Sequence, residues 1–384
     1  MKVSVNIQPL LHNAKSGVGF YEAGLLQSMV KKKDTLFALN YFSGFKNRKV
    51  KEEKVQHYLN DNVKIGVCKW FSATIYQMLW AFFPIPYRLF FHEKADISQF
   101  FNYYIPPGVN GKKVVVIYDT VIKDFPETVR LKTKVMLKLT LKKSIKRADK
   151  IITISDFSKK CIMHHFSIDE QKIEVIPCGV DHTSFKKIDD QIFIESIKQK
   201  YRISGEYFLY LGNLEPRKNI ERLIEAYALA LKERRNLPTL VIAGGKGWLY
   251  SSIFQKVKQL DIAEQVHFTG YVEDDDVPVL MNGAQVFCFP SLYEGFGMPP
   301  LEAMACGTPV LVSHTSSIPE VVGECGIYVN PYSVEQISQE LIRLSNDVEL
   351  RNELEKRGLE RSRMFSWDIS AEKLVLVYKK ILEK

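Results

Sequence analysis

Short apolar runs, each followed by a stretch of helical periodicity, recur from one end of this chain to the other, and that alternation restricts the fold more than any other feature. In the first half the strand candidates are 2–7, 36–42, 96–100, 113–118, 150–154 and 173–176, with a long basic helix at about 129–148 and a shorter one at about 156–165. In the second half strands fall near 207–211, 239–243, 265–269, 285–289, 308–312 and 326–329. Helices there fall near 219–235, 251–260, 299–306, 333–345 and 348–363. Ile, Val and Phe dominate the strands, as burial on both faces of a parallel sheet requires. A chain of 384 residues can build two such sheets, each with its own core. The stretch Pro177 to Asp190, with its Pro-Cys-Gly step and polar run, reads as the linker. The expected fold class is therefore α/β, two doubly wound domains at 1–185 and 186–365.

Hydrophobic residues make up 46% and charged residues 25%, the balance of a globular protein. Met1 leads directly into an alternating strand pattern with no signal-peptide character. The six cysteines form no Cys-x-x-Cys pair, which fits a reducing cytoplasm better than a disulfide framework or a zinc site. The charge is unevenly placed: residues 1–185 carry 29 Lys and Arg against 16 Asp and Glu, the remainder 24 against 28. A basic half points to an anionic surface, membrane or nucleic acid. Two segments favour the membrane. No charge occurs over the 18 residues from Trp70 to Tyr87, where Trp70, Phe71, Tyr76, Trp80, Phe82, Phe83 and Tyr87 collect. Pro84 and Pro86 argue against a spanning helix, leaving interfacial insertion or core packing. In 129–148, Leu131, Val135, Met136, Leu139, Ile145 and Ala148 lie on one face and lysines fill much of the rest; an anionic leaflet and a solvated basic face both account for that. The expectation is a cytoplasmic protein, peripheral on the inner face of the cytoplasmic membrane through 129–148 and 70–91.

Ligands of open parallel sheets bind beyond the carboxyl ends of the strands, so the loops there should carry the chemistry. Ser16-Gly17-Val18-Gly19 opens a helix and lacks the third glycine of a dinucleotide fingerprint; close approach to a phosphate or sugar competes with a simple turn. Leu211 to Asn219 sets Arg217 and Lys218 at the start of a helix, against the dipole preference for acids, and an external diphosphate between them would relieve the conflict. Solvated surface charge is the competing reading. Tyr293-Glu294-Gly295-Phe296-Gly297-Met298-Pro299-Pro300-Leu301-Glu302 combines two loop glycines, prolines suited to a helix start, a loop carboxylate and a second carboxylate expected in the first helical turn.

Glu294-x7-Glu302 resembles the signature of glycosyltransferase family 4, retaining enzymes of GT-B architecture. Further matches fall in order along almost the whole chain: Ser16–Gly19, Ile152–Ser155, Val175–Asp181, Glu215–Asn219, Ala243-Gly244-Gly245-Lys246-Gly247-Trp248, Phe289–Ser291 and Ser317–Val321. The Leu-Glu-Pro-Arg-Lys-Asn variant is most similar to bacterial mannosyltransferases of surface-polysaccharide assembly. The resemblance implies two Rossmann-like domains facing across a cleft, the first for the acceptor and the second for the nucleotide-sugar, with a C-terminal helix at 366–384 packing back on the first. It implies that Arg217 and Lys218 hold the donor diphosphate, that Glu302 binds the ribose and Glu294 the transferred sugar, and that N–H groups of Phe296, Gly297 and Met298 face sugar and phosphates. Tyr271 and Val272 would flank the base, and Gly17, Gly19, Asn213 and Gly245 complete the donor-side set. The nucleotide-sugar, GDP- or UDP-linked, is a co-substrate; no cofactor, no metal and no nucleic acid is expected.

Two positions depart from the family pattern. Tyr118-Asp119 stands on the acceptor side where a His-Asp pair is usual, and tyrosine can donate to a sugar hydroxyl but is no base at neutral pH. Asn213 stands where many relatives carry Arg. The leading expectation is hexosyl transfer from GDP-mannose to a glycan or lipid-linked acceptor. The alternatives are a UDP-sugar transferase of the same family, or a carbohydrate- or lipid-binding scaffold without activity. An epimerase of the same fold would release free sugar or isomerised donor without an acceptor, and a phosphorylase would need a cofactor site that the sequence does not show.

Overall fold

The computed structural model describes residues 1–11, 17–44, 48–245 and 250–383. It divides into two compact units: Met1–Gly179 together with Trp367–Lys384, and Val180–Ser366. The change of unit falls at Gly179/Val180, six residues before the expected boundary. Val180 already belongs to the second unit because its N–H donates to the Phe365 carbonyl at 3.3 Å and it bridges to Ser366.

The strands of the first unit are β1 Lys2–Asn6, β2 Leu36–Phe42, β3 Val63–Cys68, β4 Ile97–Phe100, β5 Lys112–Val116, β6 Lys150–Thr153 and β7 Ile173–Val175. Those of the second are β8 Tyr207–Leu211, β9 Thr239–Ala243, β10 Val266–Gly270, β11 Val286–Phe289, β12 Val310–Ser313 and β13 Ile327–Val329. Helices α1 Gly17–Met29, α2 Arg48–Gln56, α3 Ala73–Phe82, α4 Val121–Asp124, α5 Leu131–Arg147 and α6 Asp156–Phe166 connect the first set. Helices α7 Gln191–Lys200, α8 Ile220–Glu233, α9 Ser251–Gln259, α10 Val277–Gly283 and α11 Met298–Ala305 follow, then α12 Ile318–Val322, α13 Val334–Asn346, α14 Val348–Ser362 and α15 Trp367–Leu382.

Both sheets are parallel throughout, in the orders β3-β2-β1-β4-β5-β6-β7 and β10-β9-β8-β11-β12-β13. Central strands are buried on both faces, which is why they read as continuous apolar runs. In each sheet the strand order reverses beside the unit's first strand, at β1/β4 and at β8/β11. Such a reversal opens a crevice at the carboxyl ends, here between the loops that follow β8 and β11.

The last helix is part of the first unit. Its Trp367 ring packs edge-on against Tyr21 of α1, with centroids 5.8 Å apart, and the Tyr378 hydroxyl donates to Gln99 Oε1 at 2.8 Å. Ion pairs Lys32–Glu372 and Lys379–Asp34 fasten its outer side. No helix among the described residues is long and apolar enough to cross a membrane.

Candidate active site

After β8 the chain makes a single 3-10 turn, Pro216–Lys218, and Asn219 then adopts a left-handed conformation (φ 62°) as it enters α8. Arg217 and Lys218 therefore precede the helix instead of occupying its first turn, where Glu221 sits as the dipole prefers. The turn is stapled to the β11 side of the crevice. Asn219 Nδ2 donates to the Pro290 and Pro331 carbonyls at 2.9 and 2.6 Å, and the Leu292 N–H donates to the Arg217 carbonyl at 2.8 Å. Sequence reasoning left Asn219 out of the site. A residue able to take positive φ at a helix entry was the available signal.

The stapling brings three charges together. Glu294 Oε1 accepts from Lys218 Nζ at 2.6 Å and Glu294 Oε2 from Arg217 Nη1 at 3.0 Å, while Arg217 Nη1 also donates to the Tyr293 carbonyl at 2.9 Å. Glu215 stands 3.6 Å from Arg217 Nε. Lys218 is buried, and its Nζ lies 4.8 Å from the centre of the Phe289 ring, so the ammonium itself is held against β11. Burial alone would raise the Glu294 pKa, but the Arg217 and Lys218 charges reverse that and hold it at about 2. Burial, with Arg217 beside it, lowers Lys218, and Glu294 opposes the shift.

The loop that carries Glu294 is fixed from below. Ser317 Oγ bridges to the Glu294 and Phe296 carbonyls at 2.8 and 2.9 Å, and the Glu294 N–H donates to Ser316 Oγ at 3.0 Å. Phe296 packs edge-on to Phe365 at 5.9 Å and is buried. Gly297 has φ 108°, a conformation that calls for glycine; a Cβ there would meet only the terminal methyl of Ile318, at 2.9 Å, which can move aside. α11 starts at Met298, which puts Glu302 just beyond the first turn and not within it as expected. Burial, aided by the Asp274 charge, pushes the Glu302 carboxyl up to about 7. The two carboxylates of the signature thus sit in opposite environments, one held ionised and one poised near neutrality.

The remaining donor-side positions rim the same sheet. Backbone bonds Gly212 N–H to Ala243 O at 3.0 Å, Leu214 N–H to Gly245 O at 3.2 Å and Gly244 N–H to Gly270 O at 2.8 Å link the loops after β8, β9 and β10. Asn213 is exposed on this rim, and Tyr271 is 66% exposed with its hydroxyl donating to Asp274 Oδ1 at 3.1 Å. Val272 is buried, so its side chain belongs to the interior and only its backbone is available beside Tyr271. Lys246, Gly247 and Trp248 of the expected glycine-rich match lie outside the described residues. Among the described residues no group of three or more His, Cys, Asp or Glu could hold a metal ion.

Gly17, Gly19, Tyr118 and Asp119 belong to the first unit. Gly17 opens α1 and is exposed, Gly19 is buried, and Ser16 lies outside the described residues. Tyr118 corrects an expectation: its side chain is buried against Tyr21, and its hydroxyl donates to the Phe101 carbonyl at 2.8 Å, so it does not offer a donor to an acceptor sugar. Asp119 Oδ1 accepts from the Val121 N–H at 3.2 Å, at the start of α4, and from the Tyr103 hydroxyl at 3.3 Å.

Comparison with known proteins agrees with this architecture. Residues 35–184 match the model of Glycosyltransferase Family 4, and residues 193–361 match that of Glycosyl transferases group 1. O-antigen chain mannosyltransferase B of Escherichia coli is 34% identical over 281 residues, 72% of this chain and 72% of that one. The serotype-specific mannosyltransferase WbdA of Escherichia coli is 35% identical over 246 residues; these are 62% of this chain but only 29% of that much longer protein. Among solved structures, WaaG, a glycosyltransferase involved in lipopolysaccharide biosynthesis, superposes with a TM-score of 0.72 at 17% identity, covering 98% of this chain and 99% of that one. HepE of Anabaena, solved with UDP and glucose, also gives 0.72 at 17% identity, covering 99% and 100%. With two parallel Rossmann-like sheets and a carboxylate-and-cation site at the switch point of the second, this chain belongs to glycosyltransferase family 4 and is a glycosyltransferase of GT-B fold.

Proposed function

We propose that the protein transfers mannose from GDP-mannose, with retention of anomeric configuration, to a lipid-linked glycan in surface-polysaccharide assembly at the inner face of the cytoplasmic membrane. The observation that carries the transfer chemistry is the Arg217–Glu294–Lys218 cluster. Two cations held on one carboxylate can exchange it for the donor diphosphate, and Glu294 is then released toward the sugar hydroxyls. As the bond from the anomeric carbon to the phosphate oxygen breaks, negative charge grows on the diphosphate, where Arg217 and Lys218 stabilise it most. The acceptor hydroxyl adds to the same face, and a departing phosphate oxygen takes its proton, so the chemistry does not depend on a histidine at position 118.

Mannose is supported by the two Escherichia coli mannosyltransferases, and guanine by the chemistry of the rim. Guanine presents adjacent N1–H and N2–H donors, which one carboxylate accepts together; uracil offers one N–H between two carbonyls that a carboxylate repels. Asp274 is the carboxylate of the β10 loop closest in effect to both Tyr271 and Glu302, whereas Glu273 and Asp276 are tied to Lys200 at 2.8 and 2.6 Å.

Calorimetry with GDP and UDP, followed by turnover of GDP-mannose, tests the reading. GDP should bind in preference to UDP, Asp274→Asn should erase the preference, and the product should carry the α-configuration of the donor. Lys218→Ala should cost about 2–4 kcal/mol in the transition state, the scale of one preorganised charge contact. A turnover change below about threefold would remove Lys218 from the mechanism.

A further inference from the structure

The aromatic residues of 70–91 divide between two environments. Tyr76, Trp80 and Tyr87 lie in the core of the first unit with Phe42 and Phe100. Trp70, Phe82 and Phe83 are 83%, 72% and 64% exposed. Phe71, Phe90 and Phe91 also pack on that core, so core packing accounts for six of the nine aromatic residues and leaves Trp70, Phe82 and Phe83 without a partner in the fold.

The neighbouring helix is divided in the same way. α3 packs against α5, where the Arg147 guanidinium lies 5.4 Å from the Trp80 ring. α5 turns Thr140, Leu141, Ser144 and Ile145 inward. Its more regular apolar row, Leu131, Val135 and Leu139, repeats every fourth residue and is exposed, which corrects the expectation of one apolar face shared with Ile145 and Ala148. Lys132, Lys138 and Lys142 are exposed along that row, and the helix contains no acid. An apolar row bordered only by lysines matches a layer that is apolar inside and anionic at its surface: lysine stems can lie along the acyl boundary while their ammonium groups reach lipid phosphates. A second protein surface would have to supply a matching acidic border as well.

We propose that the exposed end of α3 at Phe82, with Trp70 and Phe83 beside the helix, inserts into the headgroup layer of an anionic membrane, while the exposed row and lysines of α5 lie on it. This rests on the reading that the acceptor is lipid-linked. It makes the basic half of the chain the side that meets the acceptor's membrane.

The test is co-sedimentation of the full chain with vesicles of phosphatidylcholine alone and of phosphatidylcholine with about one-third phosphatidylglycerol. Binding is expected to the second at low salt, declining as salt screens the lysines. Trp70→Ser with Phe82→Ser and Phe83→Ser should lower partition by about tenfold or more at every salt concentration. Lys132→Gln with Lys138→Gln and Lys142→Gln should lower it and flatten its salt dependence. All six positions are exposed, and melting curves of the variants should match the parent. Equal recovery in the supernatant with both vesicle types overturns the proposal. So does a dimer in sedimentation velocity that the aromatic substitutions abolish, because a second copy then covers the face. GDP binding by each variant keeps the two readings apart: failure to bind GDP bears on the donor, failure to bind vesicles on this surface.

Discussion

Glu294 is charged in a buried site only because two cations share it, and that fixes what its neutral replacement should do. Glu294→Gln leaves Lys218 and Arg217 without their counter-ion; removing one partner of a buried pair typically costs about 3–5 kcal/mol, so the unliganded variant should melt earlier. The freed cations should then grip GDP about tenfold tighter, while turnover falls on the order of a hundredfold for want of the sugar contact. Unchanged or weaker GDP binding in calorimetry would mean that the carboxylate does not compete with the diphosphate. Glu302 supplies the pH dependence. With its carboxyl pushed up to about 7, it is half protonated near neutrality, and only the ionised form accepts from both ribose hydroxyls. Donor affinity should rise as pH goes from about 6 to 8, and Glu302→Gln should flatten that profile. Its contribution to stability has the opposite sign. A raised carboxyl favours the folded state while it holds its proton, so that contribution fades as pH climbs from the ordinary 4.5 toward 7. Glu294, held at about 2, contributes above its ordinary 4.5 and loses that contribution only as pH falls toward 2, well outside the activity window. A titration of GDP binding that is flat through pH 7 in the parent protein would remove Glu302 from the donor site.

At the scale of elements, the contact between α1 and α15 hangs on one missing side chain. A Cβ at Gly24 would stand 2.2 Å from the Trp367 ring, with no flexible end to move aside. Gly24→Ala should gain about 1 kcal/mol in helix propensity yet lose about 1–3 kcal/mol to overpacking, so urea unfolding should show net destabilisation. A stabilised variant would mean that the ring yields. The sequence made most elements legible but not that contact, because a glycine inside a helix says nothing about what lies over it. Strands buried on both faces were readable as apolar runs. β3 was not: Val63–Cys68 interrupts its apolar residues with Lys64 and Gly66, and as an edge strand it is only partly covered. α7 was missed because it buries only Ile194 and leaves Ile192 85% exposed, so no core-facing row marks it. In the site, charge and glycine spacing pointed to Arg217, Lys218 and Glu294 but could not show that they bind one another. Nor could spacing show that Tyr118 turns inward, since which face a residue takes just past a strand end depends on the chain's next turn.

At the scale of the whole molecule, the chain leaves the first unit at Gly179, returns at Trp367, and so closes that unit with residues from both of its ends. The two returns meet on the second unit's side, where Val180 and Ser366 bridge. Each unit has its own sheet and core, and the Arg217, Lys218, Glu294, Asp274 and Glu302 positions all belong to the second. Ligand and truncation should therefore act on different parts of a melting curve. GDP at a hundred times its Kd adds about 2.7 kcal/mol to whatever folds around it. In calorimetry it should raise one transition, that of Val180–Ser366, and leave the other nearly in place. Deleting residues 367–384 should do the reverse. It removes Leu374 and Tyr378, both fully buried, uncovers Tyr21 on α1 and strips Gln99 of its hydroxyl partner. The transition insensitive to GDP should then fall by several degrees, while GDP still binds and still shifts the other. A single transition that moves with both nucleotide and deletion would mean that the returning helix supports the donor unit as much as the unit it packs on.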